Sequence, residues 1–164
     1  MPEPAPTQPP GTSPDTAARQ RWMAVLARAG LAELRARLED APPLPPHTRL
    51  RGPETGLVML RGRAGGDGAA FNLSEMTVTR CSVRLEDGPA GQAHLGHAYV
   101  AGRDRAQAEL AAVLDAALLD PARRPALLAA VIEPLARAQA SAAEAEARKA
   151  AATRVQFFTM ATMR

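Results

Sequence analysis

The residues able to do chemistry in this chain gather in its middle third. A glycine-rich stretch, Gly62-Arg-Ala-Gly-Gly-Asp-Gly68, lies between two strand-like runs, with Arg61 and Arg63 beside it. Glycine reaches backbone conformations in which successive N–H groups point at one anion. A guanidinium grips phosphate or carboxylate oxygens with two parallel hydrogen bonds. On a strand, Arg61 and Arg63 share one side, and Arg80 and Arg84 follow on the next strand. Residues 49–84 hold six arginines against three acids, so the whole +3 charge of the chain sits there. Arg61, Arg63 and Arg80 with the amides of Gly65, Gly66 and Gly68 therefore form a candidate surface for a phosphate-bearing ligand or an acidic partner. The plainer alternative is a flexible hairpin loop and solvated strand arginines paired with Glu54, Asp67 and Glu75. The loop is no nucleotide-hydrolase phosphate loop, because the only lysine is Lys149.

Acid–base candidates are few. His97 and Tyr99 lie two apart and share a strand face; with Glu75 they are the candidate general acid–base groups. His94 and His97 fall on opposite faces and do not chelate one metal, and no metal site is expected. Cys81 is the single cysteine, which excludes an internal disulfide and fits a reducing compartment. In that strand context it reads as a buried thiol. No Gly-x-Ser-x-Gly elbow is present.

The elements that position these groups follow from patterning. Residues 1–13 are proline-rich and read as a disordered tail, leaving 14–164 as one domain. Ser13-Pro14 looks like a helix start. Trp22, Val25, Leu26 and Ala29 recur at helical spacing up to Gly30, and Leu31, Leu34 and Leu38 give a second short helix. Leu57-Val-Met-Leu60 is an apolar run expected to be a strand buried on both faces. Met76–Leu85 alternates and is β-branched, and Leu95–Val100 is placed to pair with it as a hairpin. Asp104 is a candidate helix cap, with Leu110, Val113, Leu114, Ala117 and Leu118 as the helix stripe. Asp120-Pro121 looks like another helix start, and a long helix from Leu127 to Lys149 is expected to kink near Pro134. The fold expected is α+β: a small antiparallel sheet over about residues 48–101, flanked by helices from both ends, with a short apolar C-terminal segment.

Composition bounds the rest. The chain has 164 residues, 46% hydrophobic but only 3% aromatic, so the core must be built from Ala, Leu, Val and Met. The 20 basic residues include 19 arginines, a bias shared with alanine and proline rather than the mark of a basic nucleic-acid surface. No apolar run is long enough to span a membrane, and Met1-Pro-Glu-Pro-Ala-Pro has no signal-peptide character. A cytoplasmic protein is expected. A stand-alone nucleic-acid module needs a basic stripe with interleaved aromatics, and the strands offer only Phe71 and Tyr99. An independent enzyme needs a convergent titratable cluster, and none is visible.

The residues also carry a resemblance. The runs Pro53–Gly68, Phe71-Asn-Leu-Ser-Glu-Met-Thr-Val-Thr-Arg-Cys81 through Arg84, and Gly96-His-Ala-Tyr-Val-Ala-Gly-Arg-Asp104 resemble the phosphonate metabolism protein PhnG family. Arg21-Trp-Met23 and Ala151–Met160 do so too. The likeness covers about residues 19–160, with Ser74 standing where the family often has Gly. It implies a subunit of the carbon–phosphorus lyase core complex, beside H, I and J subunits and an accessory L protein, the I subunit being the most direct partner. The reaction implied is displacement of adenine from ATP by methylphosphonate, giving ribose 1-methylphosphonate 5-triphosphate. ATP enters as a substrate of the assembly, and no cofactor is expected on this chain alone. A non-catalytic scaffold role in the same complex is the alternative. The resemblance carries no catalytic residue over to this chain. An apolar C-terminal segment with Phe157 and Phe158 is expected to dock on a partner or on this chain's own sheet.

Overall fold

The computed structural model describes residues 14–63, 68–86 and 94–153. The order is α1 (Pro14–Arg28), α2 (Leu31–Leu38), β1 (His47–Gly62), β2 (Phe71–Leu85), β3 (Leu95–Ala101), α3 (Arg105–Leu119), α4 (Arg124–Leu127), a π-helical turn (Leu128–Ile132) and α5 (Glu133–Ala152). The sheet has three antiparallel strands in the order β1-β2-β3, so the chain is α+β as its patterning predicts.

The alternation in β2 sets the core face. Thr79, Cys81, Val83 and Leu85 turn inward with Ala98 and Val100 of β3. Onto this face lies α3, buried through almost its whole length: every residue from Ala111 to Leu118 is buried. A helix apolar nearly all round must be covered on several sides. Trp22, Val25 and Leu26 of α1, Leu34 of α2, and Leu127, Val131 and Leu135 cover the rest. Asp104 caps α3 by accepting from the Gln107 amide at 2.9 Å. Two side-chain amides brace the end of α1: Gln107 Nε2 donates to the Ala29 carbonyl just past the helix, and Gln139 Nε2 adds a second donor to the Val25 carbonyl, which also takes the Ala29 amide.

Two expectations need correction. Asp120-Pro121 starts no helix: the Asp120 carboxylate takes the Ala122 amide into a turn, and α4 begins at Arg124. At Pro134 the ring removes an N–H and crowds the preceding turn. The helix answers by widening to the π-helical turn, with the Glu133 amide bonded to the Leu128 carbonyl.

The second correction concerns Leu57–Leu60. These residues lie in β1, yet they are exposed on both faces, Leu57 by 63% and Met59 by 50%. The reason is length. β3 pairs with β2 only from Val78 to Arg84, whereas β1 and β2 continue together to the Gly62–Phe71 pair. Beyond Thr55 and Thr79 the two strands form a bare two-stranded arm. Strand alternation sends Leu57 and Met59 to the helix side and Val58 and Leu60 to the other.

Candidate functional site

The arm concentrates exposed apolar surface. Of the nine exposed large hydrophobic residues among those described, six belong to it: Leu57, Val58, Met59, Leu60, Phe71 and Leu73. Such a concentration on a folded domain marks a surface that meets another molecule. An isolated two-stranded ribbon is marginal in water, and the apolar side chains of this one lie exposed among the described residues. A register shift between Leu60 and Arg61 bends its end. Arg61 there donates to the Ala70 carbonyl, and Arg63 follows just past the strand, exposed.

The arginines singled out in the sequence do not meet in one patch. Arg61 stands opposite Asn72 and Arg80 opposite Glu54, so eight β2 residues, about 26 Å, separate them. Arg80 is engaged: its guanidinium and that of Arg51 both bond Glu54, at 3.1 and 3.0 Å. Hydrogen bonding from Arg51 first, and then from Arg80, holds the Glu54 carboxyl below its ordinary range. Gly68 has a left-handed backbone, φ 83°. Gly65, Gly66, the proline-rich stretch 1–13, Phe157 and Phe158 lie outside the described residues.

The acid–base candidates are also apart. His97 and Tyr99 share the outer sheet face. His97 Nδ1 is hydrogen-bonded to Ser82 Oγ at 2.9 Å, and Tyr99 is exposed. Glu75 is on the arm, opposite Met59 and on the helix side of the sheet. Seven residues of β2 divide it from Ser82, about 23 Å. Cys81 is a buried strand thiol donating to the Arg51 carbonyl, and burial pushes its pKa up.

Two polar clusters were not anticipated. Asp115 is fully buried in α3 and accepts from Arg19 Nη2 (2.7 Å) and Nε (3.2 Å), Trp22 Nε1 (2.8 Å) and the His97 backbone amide (2.9 Å). One carboxylate thereby ties α1 and β3 to α3. Its signal was a lone acid inside an apolar helix, and a buried Trp whose N–H needs a partner. The second cluster is Glu109. Arg49 grips it bidentately at 2.7 and 2.8 Å, and His47 Nε2 stands 3.0 Å from it. His47 and Glu109 line a cleft of about 460 Å³ together with Leu38, Leu44 and Leu110.

The Arg49 hydrogen bonds hold the Glu109 carboxyl below its ordinary range, with His47 adding to the effect. A carboxylate depressed on folding stabilises the fold above its unfolded pKa of about 4.3, and that contribution is lost as pH falls through the lower folded value. Urea unfolding followed from pH 6 to pH 2.5 is therefore expected to show a shallower loss of stability in Glu109→Gln than in the wild type. Identical acid limbs would refute it.

Among the described residues, a filled α+β body holds the candidate catalytic groups far apart and carries an exposed apolar arm. The family follows directly: the model of the phosphonate metabolism protein PhnG family matches residues 17–162, and this chain belongs to that family. It is also similar to the Rhizobium meliloti (strain 1021) protein named alpha-D-ribose 1-methylphosphonate 5-triphosphate synthase subunit PhnG. The two are 44% identical over 158 residues, which cover 91% of this chain and 93% of that protein.

Proposed function

We propose that this chain is a subunit of a cytoplasmic assembly that transfers methylphosphonate to the ribose of ATP. A phosphonate oxygen forms the new bond to the anomeric carbon, the glycosidic C–N bond breaks, and adenine leaves with the proton it needs. The triphosphate stays whole. The observation that carries this reading is near-full-length identity to a protein named as a subunit of that synthase. The separation of His97 and Tyr99 from Glu75 favours a supporting role, with chemistry completed by the H, I and J subunits, the I subunit closest, and the L accessory protein. Among the described residues no helix is long and apolar enough to cross a membrane, which agrees with such an assembly.

The test is reconstitution. With ATP and methylphosphonate, adenine release is expected from the co-expressed subunits and not from this chain alone; release by the isolated chain would defeat the supporting role. Within that assembly Arg61 and Arg63, with the amides of Gly65, Gly66 and Gly68, are proposed to meet an acidic partner surface or the substrate phosphates. Arg63→Ala is expected to weaken assembly or lower the adenine-release rate severalfold, while Arg28→Ala, an exposed change at the end of α1, does neither. Losing a charge-assisted bidentate contact costs about 1.5–3 kcal/mol where the site is partly desolvated. Equal behaviour of the two variants would return Arg63 to the solvent.

A further inference from the structure

The cleft beside Glu109 has no part in the subunit reading. Two helices build it, each from one face. Leu31, Arg35 and Leu38 of α2 line it at helical spacing, and so do Ala106, Leu110 and Val113 of α3. Its volume, about 460 Å³, is in the range that holds a small organic molecule. The lining is mostly apolar; its polar side chains are Arg35, His47 and Glu109. No residue of the arm lines it.

Charge decides what such a molecule carries. The Glu109 carboxylate is already engaged: Arg49 takes both of its oxygens, and His47 Nε2 stands 3.0 Å from one of them. A cation entering the cleft must displace Arg49. Arg35 is different. It is exposed, and no hydrogen bond or ion pair holds it among the described residues, although Glu39 follows one turn on at the end of α2. The lining therefore offers one uncommitted positive charge beside apolar walls. A guanidinium pairs one carboxylate with two parallel bonds. A dianionic head would bring a second charge that no lining group balances.

We infer that this cleft binds a small amphiphilic carboxylate, its apolar body against Leu31, Leu38 and Leu110 and its head on Arg35. Octanoate is the probe, and octylammonium, of equal chain length and opposite charge, is the control. Each is titrated into the isotope-labelled full chain and followed by amide chemical shifts. Octanoate is expected to give saturable shifts in Leu31–Leu38 and in residues 106–113, with octylammonium about fivefold weaker or worse. Arg35→Ala is expected to weaken octanoate about three- to fivefold, the range for a partly exposed ion pair. Arg37→Ala, an exposed α2 cation outside the lining, leaves it unchanged. Ala106→Trp fills the cleft from an exposed position and is expected to abolish the shifts while the unfolding midpoint stays at that of wild type.

Equal affinity for octanoate and octylammonium, or wild-type octanoate affinity in Arg35→Ala, overturns the carboxylate site. Octanoate shifts that survive Ala106→Trp, or that fall on residues 57–73 instead, overturn the cleft as its place. Tighter octanoate binding on removing residues 1–13 or 154–164 would make the occupant a segment of this chain. Loss of octanoate binding on assembly with the H, I and J subunits would make it a partner's surface. Either of these last two results overturns the small-molecule ligand.

Discussion

Replacing Asp115 with alanine is expected to destabilise the domain by about 3 kcal/mol or more, the largest loss from any single polar side chain among those described. The carboxylate is fully buried and takes four hydrogen bonds from three directions. Removing it strands the Trp22 indole N–H and the His97 amide in the interior and leaves Arg19 without its counter-ion. Each stranded donor costs about 1–3 kcal/mol. The Arg19 side chain keeps 31% of its surface in water, which softens the charge penalty and holds the figure at the lower end of the range for broken buried pairs. In a domain of this size that corresponds to a fall in Tm of about 6–12 °C. Asp115→Asn is expected to recover only part of the loss, since an amide offers one acceptor where the carboxylate has two. Breaking the exposed Glu146–Lys149 pair is the contrast, worth under about 1 kcal/mol. Urea unfolding of the three variants checks the order. An Asp115→Ala cost no larger than that of the surface pair would show that the clamp contributes nothing to holding α1 and β3 on α3.

Why Asp115 was missed and Cys81 was not is a matter of range. The inward set of β2, with Cys81, Val83 and Leu85 turned in and Arg84 out, is written in consecutive residues, because a strand alternates regardless of its neighbours. The stripe of α3 is local in the same way. Asp115 owes its place to Arg19, Trp22 and His97, which are 96, 93 and 18 residues away along the chain. The apolar turn around it marks a lone acid, but nothing local says which partners take its carboxylate. Glu109 is the same case, being held by His47 and Arg49 from the first residues of β1.

Arg61 and Arg80 stand apart for a related reason. Alternation assigns residues to a strand face, but β1 ends at Gly62, before Arg63, and proximity depends on register. With Arg61 opposite Asn72 and Arg80 opposite Glu54, the arginines stand at opposite ends of the arm. Leu57–Leu60 shows the limit of hydrophobicity itself. An apolar run states that the side chains leave water somewhere, and it is silent on whose surface covers them. Here no described helix reaches the run, so its side chains lie outside the described core. The Pro53–Gly68 and Phe71–Arg84 runs, which carry much of the resemblance, span the arm and the inner part of β2.

The second large effect is at Gly96. Its Cα faces α3, and a Cβ built there would sit 1.9 Å from the Ala112 carbonyl oxygen, 2.6 Å from the Ala116 nitrogen and 2.7 Å from the Ala116 Cβ. Two of these three atoms are backbone and cannot rotate aside. Gly96→Ala must therefore push β3 and α3 apart by more than an ångström, opening the packing of Val83, Ala98 and Leu114 and stretching the bond from the adjacent His97 amide to Asp115. Overpacking by one methyl usually costs about 1–3 kcal/mol, and this contact belongs at or above the top of that range because the opposing atoms are main chain. Gly56→Ala is the control: no atom lies within 4 Å of its Cβ position, so a change within about 0.5 kcal/mol is expected. Ala116→Gly in the Gly96→Ala background is expected to restore little, since the closest clash is with the Ala112 carbonyl. The Gly96→Ala and Asp115→Ala losses should sum to more than the double variant shows, because both loosen the same helix from the same strand. Strict additivity in urea unfolding would mean that the glycine seat and the carboxylate clamp hold α3 independently.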